Sequence, residues 1–116
     1  MEVFAFTDLL EPGPPICVLA RVRFLATEEG GRSSPITGIY RPSHNFGAPD
    51  GRQFYIGQLV IPEGAQILPG ETHDLYVTFL NGAHLAEQLR VGRSWRIQDG
   101  ARHVATAEVL AVVGEP

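Results

Sequence analysis

Four histidines, His44, His73, His84 and His103, are the first side chains with chemistry to offer. Their spacing contains neither HxH nor HExxH, the short patterns that put two imidazoles on one metal. They fall in turns and on polar strand faces, so they read as scattered surface residues. Glu28 and Glu29 are adjacent carboxylates. Neighbours on extended chain point to opposite sides, which makes them a poor acid–base pair and a good solvated turn. Asp99 precedes Gly100 in a turn pattern, where an aspartate usually bonds its own backbone. Cys17 has no adjacent base to hold a thiolate and reads as a small core or edge residue. Ser33 and Ser34 lack the GxSxG elbow. Gly30-Gly31 is half of a phosphate loop, with no helix after it to supply a dipole. These residues predict no catalytic site, no metal and no cofactor.

Arginine is the remaining signal. All nine basic residues are Arg, against 13 acids, for a net charge of -4. Without Lys there is no Schiff-base chemistry and no phosphate-loop lysine. The acidic balance argues against a surface that clamps nucleic acid on all sides. Arg32, Arg41, Arg52 and Arg102 fall in or beside loops, and Arg21, Arg23 and Arg96 on outward strand faces. A planar guanidinium suits phosphate. The plainer expectation is that these residues pair with surface acids, where each pair matters little.

The elements that must carry these residues are strands. Thirteen Gly and nine Pro interrupt every stretch of helical periodicity in a chain of 116 residues, the length of one domain. Residues 1–15 read as an extension containing a short strand, Val3 to Phe6, and a proline-rich connector, with the main domain over 16–116. Val18, Ala20, Val22 and Phe24 alternate with Arg21 and Arg23, which predicts a strand with Leu19 and Leu25 outward. Pro35 to Pro42 reads as extended and Ser43 to Arg52 as a loop. Strands follow at 54–61, 72–80, 93–98 and 102–113, with a hairpin turn at Asp99-Gly100. Trp95 belongs to the core. Only 83–89 has room for a helical turn. Many short strands with regular turns predict an all-β sandwich or barrel, and the mixture of small and large inward residues favours the barrel. One cysteine excludes a disulfide framework, no apolar run is long enough to span a bilayer, and the early acid at Glu2 does not suit a signal peptide. A cytoplasmic location is expected.

Several motifs sharpen this picture. Thr27-Glu28-Glu29-Gly30-Gly31-Arg32-Ser33-Ser34-Pro35, followed by Tyr40-Arg41-Pro42, resembles the K-[DE]-E-G-G-R-H-T-P and Y-R-P segments of the third, C-terminal β-barrel domain of translation elongation factor Tu. Leu59 to Gly64 is similar to that family's E-L-P-E-G, Leu68 to Glu71 to its M-P-G-D, and Trp95 to Val104 to its F-A-I-R-E-G-G-R-T-V. The matches run in order from about Ile16 to Val113. The resemblance implies a six-stranded antiparallel Greek-key barrel. In the family this domain holds the T-stem of aminoacyl-tRNA and contacts the GTPase domain and the exchange factor. Carried over by position, the implied binding residues are Arg32, Ser33 in place of the loop histidine, Arg41, Asp99 and Gly100, with Arg102 beside them. Ser43 replaces the glutamine after Pro42. The R-T-T-D-V segment is replaced by a longer loop at 45–53, and the basic residue expected beyond Leu80 is missing.

The turns that the fold needs are thus kept, whereas the tRNA-facing residues are half kept. The expected function is a non-enzymatic module with no GTPase activity of its own that binds a protein partner through its loops. The alternative is binding of tRNA or another structured RNA. DNA and membranes are not expected partners. Self-association through outward apolar residues such as Leu19 and Leu25 stays open.

Overall fold

The computed structural model describes residues 5–6, 15–47, 53–80 and 85–114. Its strands are β1 (Ala5–Phe6), β2 (Ile16–Phe24), β3 (Ile39–Tyr40), β4 (Ser43–Asn45), β5 (Gln53–Val60), β6 (Thr72–Phe79), β7 (Ser94–Asp99) and β8 (Arg102–Gly114). Six of them close a barrel in the order β5-β4-β7-β8-β2-β6, with β6 returning to β5 and every neighbouring pair antiparallel. β3 pairs with β5, and β1 lies parallel to β5 at Gln53 and Phe54.

Closure removes the sheet edges and turns the alternation of each strand into one inner face. Val18, Ala20, Val22 and Phe24 on β2 meet Leu75, Val77 and Phe79 on β6 and Ile97, Ala105 and Val109 on β7 and β8, all buried. Large residues face small ones across the ladders: Trp95 opposes Ala107, Ile97 opposes Ala105, and Leu75 opposes Ala20. That matching lets bulky side chains fill a narrow lumen without overlap. A register shift between Ile97 and Gln98 accounts for two consecutive buried residues, Val104 and Ala105, on β8. The β7–β8 hairpin turns through Gly100 and Ala101, and Gly100 has φ 59°, as the first central position of a II′ turn requires.

Two expectations change. The stretch from Ser43 is not a loop at its start: Ser43–Asn45 forms β4, a barrel strand between β5 and β7, with His44 and Asn45 buried. A three-residue strand is too short for alternation to show, and its inward residue is polar. Leu25 does not point outward. It lies just past the end of β2, is buried, and its N–H donates to the Val104 carbonyl. Leu89 N–H reaches the Leu85 carbonyl, so the expected helical turn is a single turn. The connector at 11–14, the loop residues 48–52 including Arg52, and His84 lie outside the described residues. Among the described residues, no helix is long and apolar enough to cross a membrane.

Candidate binding surface

Asp99 ties three motif segments together. Its Oδ2 accepts from Arg32 Nη1 at 2.9 Å and its Oδ1 from the Tyr40 hydroxyl at 2.8 Å. The Arg32 guanidinium also lies over the Tyr40 ring, 5.3 Å from its centroid, and donates to Ser34 Oγ at 3.3 Å. Burial pushes the Tyr40 hydroxyl well above its ordinary pKa, and the bond to Asp99 adds to the shift. Asp99 was expected to bond its own turn; it binds side chains 59 and 67 residues away instead.

The local fold explains why these residues arrive there. Residues Thr27–Glu29 make a 3-10 turn that ends at Gly30, with φ 96°. The Glu29 carboxylate accepts the Ala26 N–H, which holds it below its usual pKa, and it also receives Arg23. Gly31 then passes over the chain so closely that a Cβ there would stand 2.3 Å from the Leu25 carbonyl oxygen. Arg32 follows directly, with its carbonyl fixed by the Thr27 hydroxyl at 2.7 Å. The hairpin of β7 and β8 brings Asp99 and, as its ladder partner, Arg102.

The six residues implied by the sequence therefore divide. Arg32 and Asp99 are locked to each other and half enclosed. Ser33, Gly100 and Arg41 follow Arg32, Asp99 and Tyr40 directly in the chain, Arg102 opposes Asp99 in the ladder, and all four are exposed. Arg41 Nε donates to Gln58 Oε1 at 3.3 Å, and neither Arg41 nor Arg102 has a carboxylate partner among the described residues. The crevice beside Arg32, between Phe24, Ile36, Ile67 and Val104, has no room for a water molecule. Surface pairing accounts for Arg21 with Asp74 and Arg23 with Glu29, but not for these two.

His44 is a correction. It is wholly buried in the barrel, and its Nδ1 accepts from Trp95 Nε1 at 3.0 Å. The proton must then sit on Nε2, which faces the Gly57 backbone without a well-formed hydrogen bond. Burial pushes the imidazole down to about 4, with an opposing effect from the Gly57 backbone. The signal available in the sequence was Trp95: a buried indole N–H needs an acceptor. A second missed feature is the amide pair between Asn45 Nδ2 and Gln98 Oε1, 2.9 Å apart and buried.

Among the described residues, no hydrogen bond joins any two of Ser33, His44, His103 and Asp99. Nor is any group of three His, Cys, Asp or Glu among those residues placed to hold a metal ion. No family model matches this chain.

Proposed function

We propose that this chain is a non-catalytic β-barrel module, of the kind represented by the third domain of elongation factor Tu, and that it binds an acidic surface of a protein partner through the loops around Asp99. The observation that supports this reading is the pairing pattern. Arg32, Tyr40 and Asp99 hold three segments in one arrangement, while Arg41, next to Tyr40 in the chain, and Arg102, opposite Asp99 in the ladder, have no carboxylate partner among the described residues. A rigid frame carrying unpaired guanidinium groups is preorganised for anionic groups, and preorganisation lowers the cost of binding. In the test, immobilised chain captures partners from extract of the source cells, with and without nuclease, beside an Arg41→Glu/Arg102→Glu variant. The expected result is a protein retained after nuclease and lost with the variant. Capture that is equal on both forms overturns the reading.

The same arginines favour one second reading, structured RNA, because guanidinium groups take phosphate as readily as carboxylate. It requires nuclease-sensitive capture and an affinity for tRNA that falls steeply with salt. A low-salt titration that shows no interaction with total tRNA eliminates it.

A further inference from the structure

Away from the loop surface, the outward face of the barrel contains a row of polar residues across three strands. Arg23 on β2 opposes Thr106 on β8, and Thr106 opposes Arg96 on β7. Neighbouring strands lie about 4.8 Å apart, so the two arginine Cα atoms are about 10 Å apart with Thr106 midway. We propose that this face holds a compact tetrahedral oxyanion, a phosphate group first of all, between Arg96 and Arg23 and above Thr106. The site is separate from the partner surface above and does not depend on it.

Four observations carry the proposal. Arg96 makes no side-chain hydrogen bond or ion pair among the described residues, and its Nε is enclosed without a partner. Among the described residues Arg23 makes one contact to a carboxylate, from Nη1 to Glu29 at 3.3 Å, which leaves the rest of its fork available. His103 Nε2 lies 2.9 Å from the Ala105 carbonyl and 3.1 Å from the Thr106 hydroxyl. A carbonyl can only accept, so Nε2 carries the proton, and the Thr106 hydroxyl proton is free to donate to an incoming anion. Two open clefts adjoin at this point. One of 170 Å³ is bounded by Asn45, Gly47 and Arg96, the other of 240 Å³ by Arg21, Arg23 and Glu108, and both include Ser94 and Thr106. Each cleft by itself is below the roughly 300 Å³ at which pockets begin to hold larger organic ligands, a size that suits a small ion.

The charges around His103 agree with this. Burial lowers its pKa first, the hydrogen bond to the Ala105 carbonyl opposes this, and Arg96 and then Arg23 lower it further. The nearby acids are directed elsewhere: Glu29 meets Arg23 from the 3-10 turn, while Glu108 acts on Arg21, which Asp74 already holds. An anion between the two arginines offsets their effect and returns His103 towards its ordinary pKa.

The test is an NMR titration of the full chain with sodium phosphate, with sodium sulfate and sodium chloride at matched ionic strength as parallel arms. The expected result is saturable shifts at Ser94, Arg96 and Thr106, with a Kd on the order of 1 mM for two guanidinium contacts in open solvent. The His103 pKa rises in phosphate. Saturation with sulfate too supports a tetrahedral oxyanion site, and saturation with phosphate alone narrows it to phosphate. Arg96→Gln abolishes saturation, whereas Arg90→Gln, at an exposed arginine that borders neither cleft, leaves it unchanged. Should Arg96→Gln fail to fold, as judged by Trp95 fluorescence, Thr106→Val keeps both charges and weakens binding about five-fold, the worth of one hydrogen bond. Shifts that match chloride, an unmoved His103 pKa, or an unchanged Kd in the folded variants overturn the proposal.

Discussion

At the scale of single residues, two side chains carry most of the consequence. Asp99 serves two donors at once. Replacing it with Ala leaves the Arg32 guanidinium and the Tyr40 hydroxyl without their acceptor. The pair is partly open to solvent, with side-chain exposures of 27% and 35%, so the loss is moderated by water. Asp99→Ala is expected to cost about 1–2 kcal/mol in urea unfolding. The same variant brings the Tyr40 hydroxyl back towards its ordinary pKa, measurable by ultraviolet titration of the phenolate. A Tyr40 titration that does not move would show that burial alone causes its shift.

His44 makes stability depend on pH. Its pKa is about 4 in the fold and 6.5 when exposed. Above pH 6.5 both states are neutral, and the fold has its full stability. As pH falls from 6.5 to about 4, only the unfolded chain takes up the proton, so stability is lost over that window. The full effect of this group is about 3 kcal/mol, from roughly 1.4 kcal/mol per pKa unit. Trp95 is the single tryptophan and the direct neighbour of His44, so its fluorescence follows the transition. His44→Leu forfeits the acceptor of the Trp95 N–H and lowers stability at pH 7. Its stability should nevertheless vary less between pH 6.5 and 4. Equal pH slopes for both proteins would contradict the assignment.

At the scale of elements, Gly31 and β4 show how short segments hold the barrel. The Gly30-Gly31 pair has a steric reason in this chain. Gly30 adopts φ 96°, and a Cβ on Gly31 would collide with backbone rather than with a movable side chain. Gly31→Ala is therefore expected to destabilise by about 2–4 kcal/mol, at or beyond the usual cost of overpacking. Among the described residues, Gly47→Ala meets only Asn45 Oδ1, at 3.6 Å, and should shift stability by less than about 0.5 kcal/mol. Thermal unfolding of the two variants side by side checks the contrast. Strand β4 has three residues, yet it joins β5 to β7, and the Asn45–Gln98 amide bond reinforces the joint. Asn45 Oδ1 also accepts the Gly47 N–H, while Gln98 Nε2 donates to the Gly100 carbonyl. One side-chain relay thus connects the exit of β4 with the β7–β8 hairpin.

At the scale of the whole molecule, the lumen is closed by aromatic packing. Phe46 stacks on Trp95 at 5.0 Å, and Phe79 meets His44, Phe46 and Trp95 edge-on or at a steep angle. Arg93 covers the Phe46 ring from outside and donates to the Phe46 carbonyl at 2.7 Å. Phe79 has no solvent exposure and lies on β6, the strand that closes the barrel against both β2 and β5. Phe79→Ala is expected to cost about 3–5 kcal/mol, measured by denaturant unfolding. Because closure depends on this strand, amide exchange should accelerate together across β2, β5 and β6. Acceleration confined to β6 would mean that these strands open independently.

The sequence by itself determined the strands in which one face is apolar. Val18, Ala20, Val22 and Phe24, and again Leu75, Val77 and Phe79, could be read directly because a period of two is visible over seven or more residues. Asp99-Gly100 marked the hairpin for an equally local reason, the φ that only glycine adopts easily. β4 was hidden because three residues with an inward histidine carry no hydrophobic pattern. Leu25 was misplaced because the strand ends one residue before it, and its burial depends on Val104 and the crossing at Gly31. Tertiary structure alone decided that β6 returns to β5, that burial keeps His44 neutral while its Nδ1 accepts from Trp95, and that Asp99 gathers Arg32 and Tyr40. Each of these joins residues far apart in the chain, and short-range pattern carries no information on which distant groups closure will bring within hydrogen-bond reach.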